Sequence, residues 1–377
     1  MNFAFVFIAE AYQVYHAAAV LFELMRRDGV RADVFHVDPE TPKQLNRLAE
    51  AHGAPPIVSR RLDPGMIGGA IQKARVFGLA KPQVLARNEA MLRRYDAVIS
   101  TEEVIARLFG GEPEAQRPRR ILVMHGPASR AVPSLGEAAG CDLLLVKGPA
   151  DVDAYLRDGI AREGHVAAVG YPKFVSTALL AEKTGRLFEN ANPTVLYNPH
   201  KEPRLSSWKT FFEPLVEGFA RDRSMNLIVA PHVKMFRRRP EAVRRTLRER
   251  SDATILFDPG SDRSLDNTYT EAADIYLGDV SSQVFEFVAR PRPCVFLNPR
   301  KIEWRGNPHF HAWEMGEVIE HPDELMPAIR RAPALHEEFR EVQRRTAEQS
   351  LGDTGPRSIV RSADKILEYM AHGRVDP

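Results

Sequence analysis

Short apolar runs alternate with longer stretches whose apolar residues recur at helical spacing, and this alternation persists through almost the whole chain. FAFVFIA near the N-terminus reads as a buried strand. The following AEAYQVYHAAAVLFELMRRDG reads as an amphipathic helix closed by Gly29, and ADVFHV as a second strand. Further strands are predicted at AVIS, ILVMHG, CDLLLVKG and GHVAAVG. After Pro193 the alternation starts again: TVLYNPH, the helix WKTFFEPLVEGFAR, then LIVAPHV, TILFDPG, DIYLGD and CVFLNP. Apolar runs without a polar face, separated by helices, are the pattern of parallel sheets covered on both sides. The pattern predicts an α/β fold of two facing Rossmann-like doubly wound domains with an interdomain cleft, the glycosyltransferase type-B (GT-B) architecture. Its bounds are residues 1–172 for the N-terminal domain, 173–192 for a linker, 193–345 for the C-terminal domain and 346–377 for a helix returning to the first.

Parallel strands place all their carboxyl ends on one edge, where such sheets bind ligands. In the second half those ends carry His200, His232, Asp258 and Asp279, with Lys201 and Lys234 adjoining the two histidines. The stretch from Asp274 to Asn298 reads as strand, polar turn, helix, proline break and strand, with Ser281 and Ser282 at the favoured helix start. Free N–H groups and two hydroxyls there make a phosphate seat; the plainer alternative is that Ser281 caps the helix and Asp279 closes a turn. In the first half Glu10, Tyr12 and His16 follow the first strand, and His125-Gly126 closes another, so both imidazoles are expected in one crevice.

Composition narrows the classes. The chain has 377 residues and a net charge of +2, and no apolar run approaches the roughly 20 residues that span a bilayer. It opens on a strand rather than a basic leader, which makes cytoplasmic the expected location. Cys141 and Cys294 stand in apolar settings and are expected as buried thiols rather than a bridge. No G-x-G-x-x-G turn, metal-ligand spacing or carboxylate cluster is present, so neither dinucleotide, cofactor nor metal is expected, and no nucleic-acid partner. The run FRRRPEAVRRTLRER, Phe236 to Arg250, is expected as a solvated helix face, with a peripheral, salt-sensitive contact to anionic membrane on the inner face as the alternative.

The ordered motifs resemble the CDP-glycerol glycerophosphotransferases that build teichoic acids. VLYNPHKE is similar to that family's "LYAPTHR" segment, LIVAPHV to "RxHP", GDVSSQVFEFVARPRPCVFL to "TDYSS…fe…kPviF", ILVMHGP to "WHGtp" and VGYPKF to "tGyPR". RGNPHF and PDELMPAI match the segment after the last strand, and GDTGPRSIVRSADKILEYM the closing "DGkaserivdyI". The resemblance implies an acceptor-side first domain and a donor-nucleotide second domain, with glycerol phosphate moving from CDP-glycerol to a hydroxyl of a glycan or lipid-linked acceptor as CMP leaves. It puts the catalytic roles on His125 as base and His232 at the leaving phosphate. It also sets Ser281 and Ser282 around the donor pyrophosphate. The reading of strand ends adds His200, Lys201, Lys234 and Asp279 on the donor side, and Glu10, His16, Gly126 and Arg130 on the acceptor side. The family's basic residue before the second-domain histidine is Ala230 here, the proline after it is Val233, and the tyrosine of "DYSS" is Val280. Other readings are a glycosyltransferase using a nucleotide-sugar donor for cell-surface polysaccharide, a sugar-nucleotide 2-epimerase, whose carboxylate-rich site the sequence does not display, and a non-catalytic ligand-binding relative.

Overall fold

A computed structural model describes residues 1–66, 69, 77–125, 133–281 and 283–376. The chain divides into two compact units, one made of Met1–Gly126, Val132–Leu179 and Gln349–Pro377, the other containing Leu180–Glu348. Each is built on a parallel sheet. In the first unit β1 (Asn2–Phe7), β2 (Arg31–His36), β3 (Ser59–Arg61), β4 (Ala97–Ser100), β5 (Arg119–Val123), β6 (Leu143–Val146) and β7 (Val166–Ala168) lie in the order β3-β2-β1-β4-β5-β6-β7. In the second, β8 (Thr194–Asn198), β9 (Asn226–Val229), β10 (Ile255–Phe257), β11 (Ile275–Gly278), β12 (Cys294–Leu297) and β13 (Glu317–Ile319) lie in the order β10-β9-β8-β11-β12-β13. Every pairing is parallel. These are two doubly wound α/β domains, the fold class the alternation predicts.

The sequence pattern explains why both faces are covered. In the second sheet Val195, Tyr197, Leu227, Val229, Ile275 and Leu277 enter one core cluster, while the intervening Leu196, Ile228 and Tyr276 enter another. Strands of period two thus feed two cores, and each fully buried Val, Leu, Ile or Phe contributes about 1.5–3 kcal/mol. Strand order changes direction between β1 and β4 in the first unit and between β8 and β11 in the second, leaving a crevice at the carboxyl edge in each.

Several elements depart from the periodicity. The first helix runs only from Val14 to Met25, because Ala11–Gln13 forms a tighter three-ten turn whose Ala11 N–H is taken by Asp38 (3.1 Å). β3 (Ser-Arg-Arg) and β13 (Glu-Val-Ile) are edge strands of only three residues, too short to present an apolar run. The arginine run yields the short helix Glu241–Arg248, in which Arg244 and Arg248 pair with Glu241, Arg245 with Glu249 (3.6 Å) and Arg250 with Glu213 (2.9 Å). Four of the seven arginines between Phe236 and Arg250 are paired in this way. Both cysteines are free thiols; Cys294 is buried, and burial pushes the half-buried Cys141 thiol up to about 12. Among the described residues no helix is long and apolar enough to cross a membrane.

The C-terminal helix Arg357–His372 packs on the helix Val14–Met25, with Arg27 on Asp364 (2.8 Å) and the Tyr369 hydroxyl on Glu114 (2.8 Å). The segment before it needs glycine. Gly170 adopts φ +89°, and a Cβ there would sit 2.2 Å from the Asp353 carbonyl, which instead accepts the Tyr171 N–H at 2.7 Å.

His52, whose Nε2 lies 2.8 Å from the Ser176 hydroxyl, gives a prediction for acid stability. Burial, then the Arg26 charge, lowers its pKa from 6.5 to about 4. The unfolded chain therefore binds a proton that the folded one refuses, so stability is full above 6.5 and declines as pH falls toward 4. Denaturant melts of His52→Gln across that window should show a shallower decline than wild type. An identical slope would remove His52 from the account.

Candidate functional site

In the second unit the residues following β8, β9 and β11 are tied together at the switch point. Asn198, at the end of β8, donates through Nδ2 to the Ala230 carbonyl (2.7 Å) and accepts the Ser281 hydroxyl on Oδ1 (3.0 Å). The loop after β9 docks through the His232 N–H on the Pro199 carbonyl (3.0 Å). Asp279 is wholly buried; Oδ1 accepts the His200 N–H (2.8 Å), and Oδ2 accepts the N–H (2.7 Å) and hydroxyl (2.8 Å) of Ser207. Burial raises its pKa to about 7 against those hydrogen bonds.

This scaffold holds two imidazoles 5.7 Å apart, edge to face. His200 Nδ1 accepts the Glu202 N–H (3.1 Å), and His232 Nδ1 accepts the Lys234 N–H (3.1 Å). A neutral ring whose Nδ1 is an acceptor carries its proton on Nε2, so both rings are preset as Nε2–H donors. Burial, followed by the charges of His200, Lys201 and Lys234, lowers the His232 pKa to about 3. The Lys201 and Lys234 charges thus act on the His232 ring from the loops that carry the two histidines.

In the first unit the corresponding edge gathers a different set. His16 is buried, its ring stacked on Tyr171 (5.7 Å) and 5.9 Å from the His125 ring, and its Nδ1 lies 3.3 Å from the Tyr171 hydroxyl. Burial, then the charges of Lys173, His125 and Lys147, lowers its pKa. His125 Nδ1 lies 2.5 Å from the Thr101 carbonyl, which can only accept. The proton is therefore on Nδ1, and Nε2 keeps a lone pair, the reverse of the second-unit histidines. Burial lowers the His125 pKa, while the Glu102 carboxylate and the Thr101 hydrogen bond act in the opposite direction.

Two sequence expectations are corrected. Asp279 is not a phosphate contact, since its oxygens are consumed by His200 and Ser207 and the carboxylate is sealed from solvent. Ser281 spends its hydroxyl proton on Asn198 and accepts the Gln283 N–H (3.3 Å), so it caps a helix, Gln283–Phe287, of only five residues, too short for a strong dipole. Ser282, Gly126 and Arg130 lie outside the described residues. Glu10 sits half-buried immediately before the three-ten turn. Val280 packs in the core, and the Ala230 side chain does the same while its carbonyl serves Asn198. Residues not singled out from sequence, Gln13, Ser100, Thr101, Glu102, Lys147 and Tyr171, stand at the same edge as His125. Their signal is position: TEE ends AVIS and KG ends CDLLLV.

No protein-family model matches the sequence, and no curated protein matches it. Solved structures do share its fold. The chain is similar to UDP-GlcNAc 2-epimerase from Neisseria meningitidis bound to UDP-GlcNAc, at a TM-score of 0.65 and 12% identity over 98% of this chain and 100% of that one. It is similar to S. aureus MnaA solved with UDP, at 0.63 and 12% over 98% and 97%. It is also similar to the wall teichoic acid polymerase TagF, in a variant soaked with CDPG, at 0.63 and 11% over 99% and 89%. The chain therefore has the GT-B type fold, which is common to the epimerases and to that polymerase.

Proposed function

We propose that the protein is a transferase that binds a nucleotide-linked donor at the His200–His232 edge and moves glycerol phosphate from CDP-glycerol to a hydroxyl acceptor. The carrying observation is the pair of preset Nε2–H donors flanked by Lys201 and Lys234. Such an array stabilises the charge that builds on a pyrophosphate as its bridging bond breaks. The proposed base is His125, whose Nε2 keeps a lone pair. His125 Nε2 takes the acceptor hydroxyl's proton, the freed oxygen attacks the β-phosphorus, and CMP departs with the electron pair of the broken bond. TagF, soaked with CDPG, is the neighbour in keeping with this reading.

A sugar-nucleotide 2-epimerase is the second reading, because the fold brings Asp38 and Glu102 to the first-unit edge that the sequence left without a carboxylate cluster. Both carboxylates are already engaged: Asp38 accepts the Ala11 and Glu40 N–H groups (both 3.1 Å), and Glu102 holds Gln13 and Lys81. That favours the transferase.

Calorimetry with CDP-glycerol, UDP-GlcNAc, CMP and UDP tests the donor site. CDP-glycerol should bind tightest, and His200→Ala and His232→Ala should each weaken it by roughly 1.5–3 kcal/mol, the scale of a charge-assisted hydrogen bond. Affinity unchanged in both variants would take the pyrophosphate away from these histidines, and preference for UDP-GlcNAc would favour the epimerase.

A further inference from the structure

Hydrogen bonds cross three neighbouring strand ends to reach His125. Ser100, the last residue of β4 and almost fully buried, donates its hydroxyl to the Val6 carbonyl of β1 (2.7 Å) and accepts the Glu102 N–H (3.2 Å). That N–H shares one planar peptide with the Thr101 carbonyl, the group that meets His125 Nδ1 beyond the end of β5. Any rotation of this plane withdraws the acceptor from the imidazole. Thr101 is restrained again through its hydroxyl, which donates to Gln13 Oε1 (3.1 Å). Gln13 Nε2 donates in turn to the Glu102 carboxylate, whose second oxygen pairs with Lys81. Glu102 is thereby buried and immobilised close to His125.

We propose that Ser100 and Glu102 are positioning residues for His125. Ser100 locks the Thr101–Glu102 peptide so that the ring proton stays on Nδ1 and Nε2 faces the acceptor, and the Glu102 carboxylate stabilises the imidazolium that forms. This deepens the function proposed above and rests on His125 being its base. In the step concerned, the acceptor O–H proton passes to Nε2 as its oxygen bonds to phosphorus, and the phosphorus–oxygen bond to CMP breaks with its electron pair leaving on CMP. The imidazolium then returns its proton to water. Among the described residues the groups facing the ring are Glu102 after β4, Lys81 from the helix Phe77–Leu92, Lys147 at the end of β6 and His16 from the helix Val14–Met25. Of these, Glu102 alone favours a charged imidazole.

Nitrogen-15 imidazole spectra distinguish protonated from unprotonated ring nitrogens without any substrate. At neutral pH wild-type His125 should show a protonated Nδ1 and a bare Nε2. Ser100→Ala should give a mixture of tautomers, and Ser100→Thr, which keeps the hydroxyl, should restore the wild-type pattern. Glu102→Gln should keep the tautomer but titrate at lower pH, and the acid limb of kcat should move with it. Both Ser100→Ala and Glu102→Gln should lower kcat roughly 10–100-fold, the scale on which outer partners of functional histidines act, with the donor KM unchanged. His165, whose Nδ1 lies 2.8 Å from the Asp142 carbonyl, reports whether the unit is folded and should keep its shifts. A wild-type His125 protonated on Nε2, or Ser100→Ala and Glu102→Gln spectra identical to wild type, would overturn the proposal. The predicted spectra without turnover of any donor would refute the transferase reading and leave the positioning of His125 supported.

Discussion

If the proposed transfer is right, replacing His125 by alanine should lower turnover of CDP-glycerol by roughly 10²–10⁴-fold while leaving donor affinity nearly unchanged, the range expected for loss of a general base that touches only the acceptor. The reason is the tautomer. Thr101 offers His125 a carbonyl oxygen at 2.5 Å, so Nδ1 holds the proton and Nε2 is available to receive another. The second-unit histidines are wired oppositely, their Nδ1 atoms accepting from the Glu202 and Lys234 amides, and so act as donors. His232→Ala should accordingly impair binding and turnover together. Burial holds the His125 pKa below its ordinary 6.5. The ring is then unprotonated at neutrality, and activity should fall only as pH drops through that lowered value, giving an acid limb below 6.5 that vanishes in His125→Ala. Steady-state kinetics across pH with a hydroxyl acceptor check both statements. Near-wild-type turnover of His125→Ala would move the base elsewhere on the same edge, with Glu10 and His16 the next candidates.

Asp279→Ala should destabilise the second unit by about 3–5 kcal/mol, because three buried donors lose their shared acceptor at once. These are the N–H of His200 and the N–H and hydroxyl of Ser207, and Asp279 itself is fully enclosed. The loss falls on the loop that carries His200 and Lys201, so donor binding should weaken beyond what stability alone accounts for. All three tryptophans, Trp208, Trp304 and Trp313, belong to this unit, so their fluorescence in a denaturant titration reports it selectively. Trp208 stacks on Phe212 at 3.9 Å in the helix that Ser207 begins. Asp279→Asn keeps one acceptor oxygen and should lie between alanine and wild type. A melt of Asp279→Ala indistinguishable from wild type would mean that Ser207 and His200 find other acceptors.

The legible part of this chain is the part written in local sequence. Buried parallel strands are apolar on both faces, so AVIS, TVLYN and CVFL stand out as runs, and the residue just beyond each run falls at the carboxyl edge. That rule is enough to bring His200 and His232 together, because β8 and β9 are neighbours in both sequence and sheet. It misreads Asp279, since a polar residue at a strand end looks the same whether it faces a ligand or locks a loop 72 residues away at Ser207. It also passes over Gln13, Ser100 and Glu102. Their partners lie 88 to 94 residues apart in the chain and meet only because β4 inserts beside β1. The edge strands β3 and β13 escape for a different reason: at three residues each, Ser-Arg-Arg and Glu-Val-Ile are too short to carry a detectable periodicity.

Phosphorus-31 spectroscopy of CDP-glycerol incubated with the protein and a panel of hydroxyl acceptors tests the transferase reading most directly. The paired diphosphate signals should give way to the single resonance of CMP and a new phosphodiester, at a rate sharply lowered by His125→Ala and by His232→Ala alike. An unchanged diphosphate with CDP-glycerol, together with conversion of UDP-GlcNAc to its 2-epimer with the diphosphate intact, would contradict that reading.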